Sequence, residues 1–184
     1  MSTNLKIIFD LKNFISQTSV DSKLRHLFVL SPSDFIRNRK LGFERLVYLL
    51  LNFMKKSYSI EIAAFYDQID AIDMKVTKSA FCQQRMKIKA LFFAGLNEVL
   101  VKSFYQHYDK AIRRWKGFRI IAIDGSQAYL VNNSEVIMQF GSHSNQSKNV
   151  QMGQVVSAFD VLNEITIWAD LYPIKISEQK VAQH

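Results

Sequence analysis

Apolar positions recur with helical spacing through the first 116 residues and with strand-like alternation after them. Leu5, Ile8, Phe9, Leu11, Phe14 and Ile15 predict a helix of about a dozen residues. Ser31-Pro32-Ser33-Asp34 reads as a helix start, with a short basic helix Phe35–Lys40 expected after it. Gly42 then precedes a stronger helix, Phe43–Lys55, whose Phe43, Leu46, Val47, Leu50 and Met54 form a core face. Lys55 and Lys56 follow where positive charge complements the helix dipole. Ser59 and Glu61–Tyr66 suggest a short amphipathic helix, and Thr77 a cap for Lys78–Ile88. A long helix from Ala90 to about His107 turns Leu91, Phe92, Leu96, Val99, Leu100 and Phe104 inward. Gly95 within it costs about 1 kcal/mol relative to Ala and points to close packing. Lys110–Lys116 reads as a basic hinge carrying one aromatic, Trp115.

From residue 117 the period changes. Ile120–Ile123 is an apolar run too short for a helix, and Phe118–Ile123 reads as a strand buried on both faces. Asp124-Gly125-Ser126 would end it in a turn. Ala128–Val131 and Val136–Phe140 look like short strand pieces around a hairpin turn at Asn132–Ser134. Gly141–Asn149 reads as a polar loop. Gln151–Phe159 and Glu164–Ile176 form two longer strands joined by the turn Asp160–Asn163, with Pro173 at an edge or at the end of pairing. Ser177–Lys180 begins a helix. The expected fold class is therefore α+β. A helical region, 1–116, precedes a region, 117–184, with an antiparallel strand meander and then the start of a helix. That order is how an RNase H-like fold begins, without its further strand and helices.

Hydrophobic content of 48% and charged content of 22% fit a folded chain, not a disordered one. Cys82 is the single cysteine, so no intrachain disulfide forms, as suits a reducing cytoplasm. The longest unbroken apolar run, Leu46–Leu51, falls far short of the ~20 residues of a membrane helix. The N-terminus lacks a secretory pattern. The expectation is a soluble cytoplasmic protein with no membrane partner.

Charge sharpens the division. Of a net +8, residues 1–116 carry 20 Lys and Arg against 10 Asp and Glu, whereas 117–184 carry 4 against 6. A basic region beside a mildly acidic one suits a polyanion binder joined to a metal-binding domain, although a solvated basic surface has the same composition. Arg37, Arg39, Lys40, Lys78, Arg85, Lys87 and Lys89 are the candidate DNA contacts, suited to phosphates and blind to sequence. Two-metal phosphodiester chemistry needs several carboxylates converging from separate elements. Asp124 is the best single candidate, and its alternative is a turn opener. Asp160 reads first as a turn former, with Glu164 similarly placed, and Asp170 as either a second carboxylate on the face of Asp124 or an edge-strand charge. His26, His107, His143 and His184 make no ligand pattern, and no zinc site, hydrolase elbow or phosphate-binding glycine loop is present.

Three segments together carry a family resemblance: Phe35–Leu41 leading into Phe43–Leu51; Lys78–Ile88; and Phe118–Ser126, with Phe140-Gly141 and Phe159–Asn163 after it. In order and spacing the chain resembles the N-terminal part of bacterial insertion-sequence transposases of the DDE type, in the group named for insertion sequence four. The resemblance implies that Asp124, in its Asp-Gly-Ser setting, is the first of three catalytic carboxylates and binds Mg²⁺ or Mn²⁺. It implies that the helical region binds double-stranded DNA at the transposon ends, in the nucleoid of a bacterial cytoplasm. It also implies a homodimer or pairing with an intact transposase. The family's second aspartate and its glutamate have no counterpart before His184, and Asp160, Asp170 and Glu178 do not sit in their contexts. The expectation is a truncated transposase, inactive alone, with a non-enzymatic DNA-binding or inhibitory remnant as the alternative.

Overall fold

The computed structural model describes all residues except 1, 38, 53, 54, 142, 146, 147 and 182–184. The chain is α+β and divides into two compact units, Met1–Leu100 and Val101–His184. The division falls within a helix, ahead of the change in charge at residue 117. The basic segment Lys110–Lys116 consequently belongs to the second unit, and the electrostatic contrast softens. The first unit holds 15 basic against 9 acidic residues, the second 9 against 7. No helix among the described residues is long and apolar enough to cross a membrane.

The first unit contains α1 (Thr3–Val20), α2 (Ser22–Phe28), α3 (Phe43–Leu51), α4 (Tyr58–Gln68), α5 (Lys78–Arg85) and the start of α6 (Leu91–His107). The apolar period understates α1 and misses α2 entirely. Asp21 separates them: its side chain accepts from the N–H groups of Lys23 and Leu24 and caps α2. α3 serves two cores. Phe43 and Val47 join Ile15, Phe28, Phe92 and Leu96, while Leu46 and Leu49 join Ile62, Phe65, Tyr66 and Phe81. The rings of Phe14, Phe28 and Phe43 surround Phe92 at centroid distances of 5.1–5.7 Å. Gly95 does lie in a crowded place, with ring carbons of Phe14 and Phe28 3.4 and 3.5 Å from where its Cβ would be.

The basic helix expected at Phe35–Lys40 does not form among the described residues. Asp34 closes a turn on Ser31 through backbone and side chain, and Phe35 takes φ 60°, a left-handed conformation that stops a helix. The expected Phe43–Lys55 ends at Leu51, and Met54 lies outside the described residues. α5 ends at Arg85 rather than at Ile88, because Ile88 bridges Val29 as an isolated antiparallel pair.

The second unit is built on a three-stranded antiparallel sheet in the order β1-β4-β5, with β1 (Ile121–Tyr129), β4 (Met152–Asp160) and β5 (Ile165–Pro173). Between β1 and β4 lie α7 (Ser134–Phe140) and a small hairpin of β2 (His143–Asn145) and β3 (Lys148–Val150); α8 (Glu178–Val181) follows β5. The meander and the later helix are as expected. Four details differ. β1 runs straight through Asp124-Gly125-Ser126, because nine consecutive pairings with β4 outweigh the local turn signal. It is an edge strand with Ile121 39% and Ile123 42% exposed, not a strand buried on both faces. Val136–Phe140 is helical. The Asn133 side chain accepts from the Val136 N–H at its start, and Gly141, at φ 82°, donates to the Ile137 carbonyl at its end. The polar loop predicted at Gly141–Asn149 contains the β2–β3 hairpin, with 142, 146 and 147 outside the described residues.

Candidate nucleic-acid interface and the Asp124 strand

The seven predicted DNA contacts divide by how they are held. Arg85 donates to the Tyr58 hydroxyl at 2.9 Å and lies 5.2 Å from that ring's centroid, with the Lys78 ammonium at 5.9 Å from the same ring. Lys87 pairs with Asp34 at 3.3 Å. Lys89 donates to the Leu27 carbonyl, and Lys40 to that of Asp73 at 2.9 Å. Each such tether uses one donor of a group that has three or five, so these cations are oriented and still able to meet a phosphate. Arg37 and Arg39 are exposed and hold no partner among the described residues.

Two adjoining recesses gather part of this set. One, of about 230 Å³, is edged by Arg37, Arg39 and Lys87 with Ser33 and Asp34. The other, of about 310 Å³, is edged by Arg39, Lys40 and Lys75 with Thr77. Arg39, Leu41 and Gln84 line both. The Asp34 carboxylate is matched by Lys87, which leaves Arg37, Arg39, Lys40 and Lys75 as uncompensated charge. The structure thus brings together Arg37, Arg39, Lys40 and Lys87, and leaves Lys78, Arg85 and Lys89 outside the two recesses. Sequence reasoning missed Lys75. Lys75 stands two residues before the Thr77 cap and was open to the same charge argument as Lys78.

Among the described residues, the carboxylates of the second unit do not converge. Asp124 is exposed on β1, opposite Ser157 and, through Ser157, Ala169. Cross-strand partners share a face, so its neighbours are a hydroxyl and a methyl group. Asp170 lies in the next row, with Val156 and Gly125, and therefore on the opposite face of the sheet. This removes the option that it faces with Asp124; instead its carboxylate accepts from the Leu171 N–H at 2.8 Å. Glu164 is an exposed turn residue at φ 56°. The side chains of His143 and Glu178, and all of His184, lie outside the described residues. Among the described residues no three His, Cys, Asp or Glu side chains form a metal-holding group.

Asp160 has a defined structural task. It is fully buried, accepting from the Tyr105 hydroxyl at 2.6 Å and from the backbone and side-chain N–H groups of Asn163 at 3.2 and 2.9 Å. Asn163 in turn accepts from the Arg113 N–H and donates to the Arg113 carbonyl. The turn after β4 is thereby clasped to the basic segment. Burial alone would push the Asp160 carboxyl up, but the Tyr105 and Asn163 hydrogen bonds and the Arg119 charge outweigh it and hold the carboxyl below its ordinary range. Burial and the Asp160 carboxylate raise the Tyr105 phenol, against the opposing Arg119 guanidinium 4.5 Å over its ring. This carboxylate has its lone pairs committed, and it fits a turn anchor rather than a metal ligand.

Neither the family models, nor the curated proteins, nor the solved structures compared with this chain gave a match.

Proposed function

We propose that the chain binds duplex DNA through the paired basic recesses of its first unit, as the end-binding part of a DDE-type transposase. What supports the reading is the convergence of Arg37, Arg39, Lys40, Lys75 and Lys87 on two adjoining recesses, where only one acidic side chain intervenes. The electrostatics of such a surface supply affinity without base readout. Replacement of about four counterions predicts that log K falls with log salt at a slope of about −3.6.

The described residues do not fit the Mg²⁺ or Mn²⁺ site that the resemblance implies. Asp124 has Ser157 and Ala169 as its cross-strand neighbours and no second carboxylate among the described residues, Asp170 is on the other face of the sheet, and Asp160 is consumed by Tyr105 and Asn163. DNA binding without cleavage is therefore the activity proposed for this chain by itself. Fluorescence anisotropy with a labelled duplex across a salt series tests it. Binding should weaken steeply with salt and survive Asp124→Ala. The absence of binding at low salt, or Mg²⁺-dependent nicking abolished by Asp124→Ala, would overturn it.

A second reading is pairing with an intact transposase or a second copy. The half-exposed Ile121 and Ile123 and the more exposed Phe118, at 71%, favour a protein partner on the second unit. Co-purification of a tagged chain with full-length transposase, lost on Ile123→Lys, is the expected result.

A further inference from the structure

A third recess of the first unit, of about 600 Å³, shares Arg39 with the two basic ones and is larger than either. Its volume falls within the roughly 300–1,000 Å³ of ordinary small-molecule sites. Three cations edge it from three separate segments: Lys12 from α1, Arg39 from the stretch before α3, and Arg45 from α3 itself. Arg45 donates to the Lys40 carbonyl at 2.6 Å, which uses one of the five N–H groups of a guanidinium. Among the described residues Glu44 is the one acidic side chain of the lining, and it already accepts from the Tyr48 hydroxyl at 3.1 Å. Beside these charges stands an apolar wall of Phe43, Phe65 and Met74. Phe43 and Phe65 belong to the two packed cores that α3 serves, so the wall is fixed in place. A DNA duplex presents phosphates and groove edges and keeps its base faces stacked inside, so its backbone matches the cations but not the wall.

We propose that this recess binds a small amphipathic anion, a flat aromatic body carrying one carboxylate or phosphate, and that the bound anion opposes DNA binding. The body packs against Phe43 and Phe65, and the anionic group meets Lys12, Arg39 and Arg45. Arg39 is common to this recess and to both basic ones, so the anion takes up a charge that a DNA phosphate would otherwise meet. Each ligand therefore weakens the other, by linkage to the same extent. The opposition rests on the DNA-binding reading; the anion site does not.

Two measurements on the full chain test it. In the first, backbone amide resonances are followed as sodium 2-naphthoate is added at constant ionic strength. Signals of Gly42, Tyr48 and Ile69 should move together and saturate with a dissociation constant of about 1 mM, while those of β4 stay still. 2-Naphthamide, the body without the charge, and inorganic phosphate, the charge without the body, should each bind about tenfold more weakly. Lys12→Gln should weaken naphthoate about threefold, and Lys6→Gln, outside the recess, should leave it unchanged. Equal binding of the amide or of phosphate, or no saturable shift by about 10 mM, would overturn the site. In the second, duplex affinity is read by fluorescence anisotropy with naphthoate about tenfold above its dissociation constant. It should fall about fivefold, close to the worth of one phosphate contact near 0.1 M salt. In Arg39→Gln, with circular dichroism confirming the fold, naphthoate should no longer weaken the duplex. Undiminished duplex affinity with naphthoate bound to the wild type sinks the opposition and leaves the site standing. If the wild type binds no duplex, the DNA-binding reading fails, and the first measurement alone decides the site.

Discussion

The first unit is held together by rings and the second by a carboxylate. Around Phe92, four neighbouring phenylalanine rings, those of Phe14, Phe28, Phe43 and Phe93, pack at 5.1–5.7 Å, and every helix of the first unit from α1 to α5 contributes a buried apolar side chain. In the second unit the sheet buries Val156, Ala158 and Ile165, but Asp160 is as deeply buried as any of them. The contrast follows from how each element presents its apolar positions. An amphipathic helix gathers them into one stripe that a neighbouring helix can cover, whereas β1, at a sheet edge, leaves Ile121 and Ile123 partly open. Where apolar cover is thin, a polar clasp sets the register instead, and its cost is that every partner must be present.

The sharpest way to break this contrast is at each centre. Phe92→Ala removes a fully buried ring and should destabilise the first unit by about 3–5 kcal/mol in urea unfolding, read by the loss of helical circular dichroism. Asp160→Ala should cost the second unit about 3 kcal/mol, because the Tyr105 hydroxyl and the Asn163 amide lose their acceptor. If Asp160→Ala is tolerated within 0.5 kcal/mol (about the level of a neutral surface change), the clasp does not hold this unit together.

Acid should separate the units next. The Asp160 carboxyl is held below its ordinary value of 3.8, so the folded state binds its proton less readily than the unfolded state does. Its contribution is therefore fully present above about 4 and drains away as pH falls through the lowered folded value. Near-ultraviolet and tyrosine signals of the second unit should weaken over that window in the wild type. In Asp160→Asn this part of the acid dependence should be missing. Tyr105→Phe, which removes one of three donors to the same carboxylate, should cost about 2 kcal/mol and shift the window upward.

Legibility in the sequence follows the range of the interactions concerned. α3, α4 and the long α6 are evident because the periods that make them are local, within four residues. α7 was legible too, since Asn133 and Gly141 are its cap and its stop, but an apolar run read by composition conceals them. The path of β1 through Asp124-Gly125-Ser126 was not legible, since it depends on β4 some thirty residues later along the chain. The same holds for the candidate site. Arg37, Arg39 and Lys40 announce themselves as a cluster, while Lys75 joins them only through the recess it lines. Asp160 could be read as a turn residue from its neighbours, but its burial depends on Tyr105, 55 positions away.

The smallest effect tests how finely the first unit is packed. A glycine in the interior of a helix suggests that two elements approach too closely for a side chain, and Phe14 and Phe28 do crowd Gly95. Yet a Cβ there would sit 3.4–3.6 Å from their ring carbons, ordinary contact that asks neither ring to move. The backbone is helical, so alanine would also recover part of the ~1 kcal/mol that glycine costs in a helix. Gly95→Ala should therefore stabilise the first unit by about 0.5 kcal/mol, with no change in the second. A loss of more than about 1 kcal/mol would mean that the rings around Phe92 have no room to accept one methyl group, as in overpacked cores. The aromatic core would then be as exacting as the carboxylate clasp.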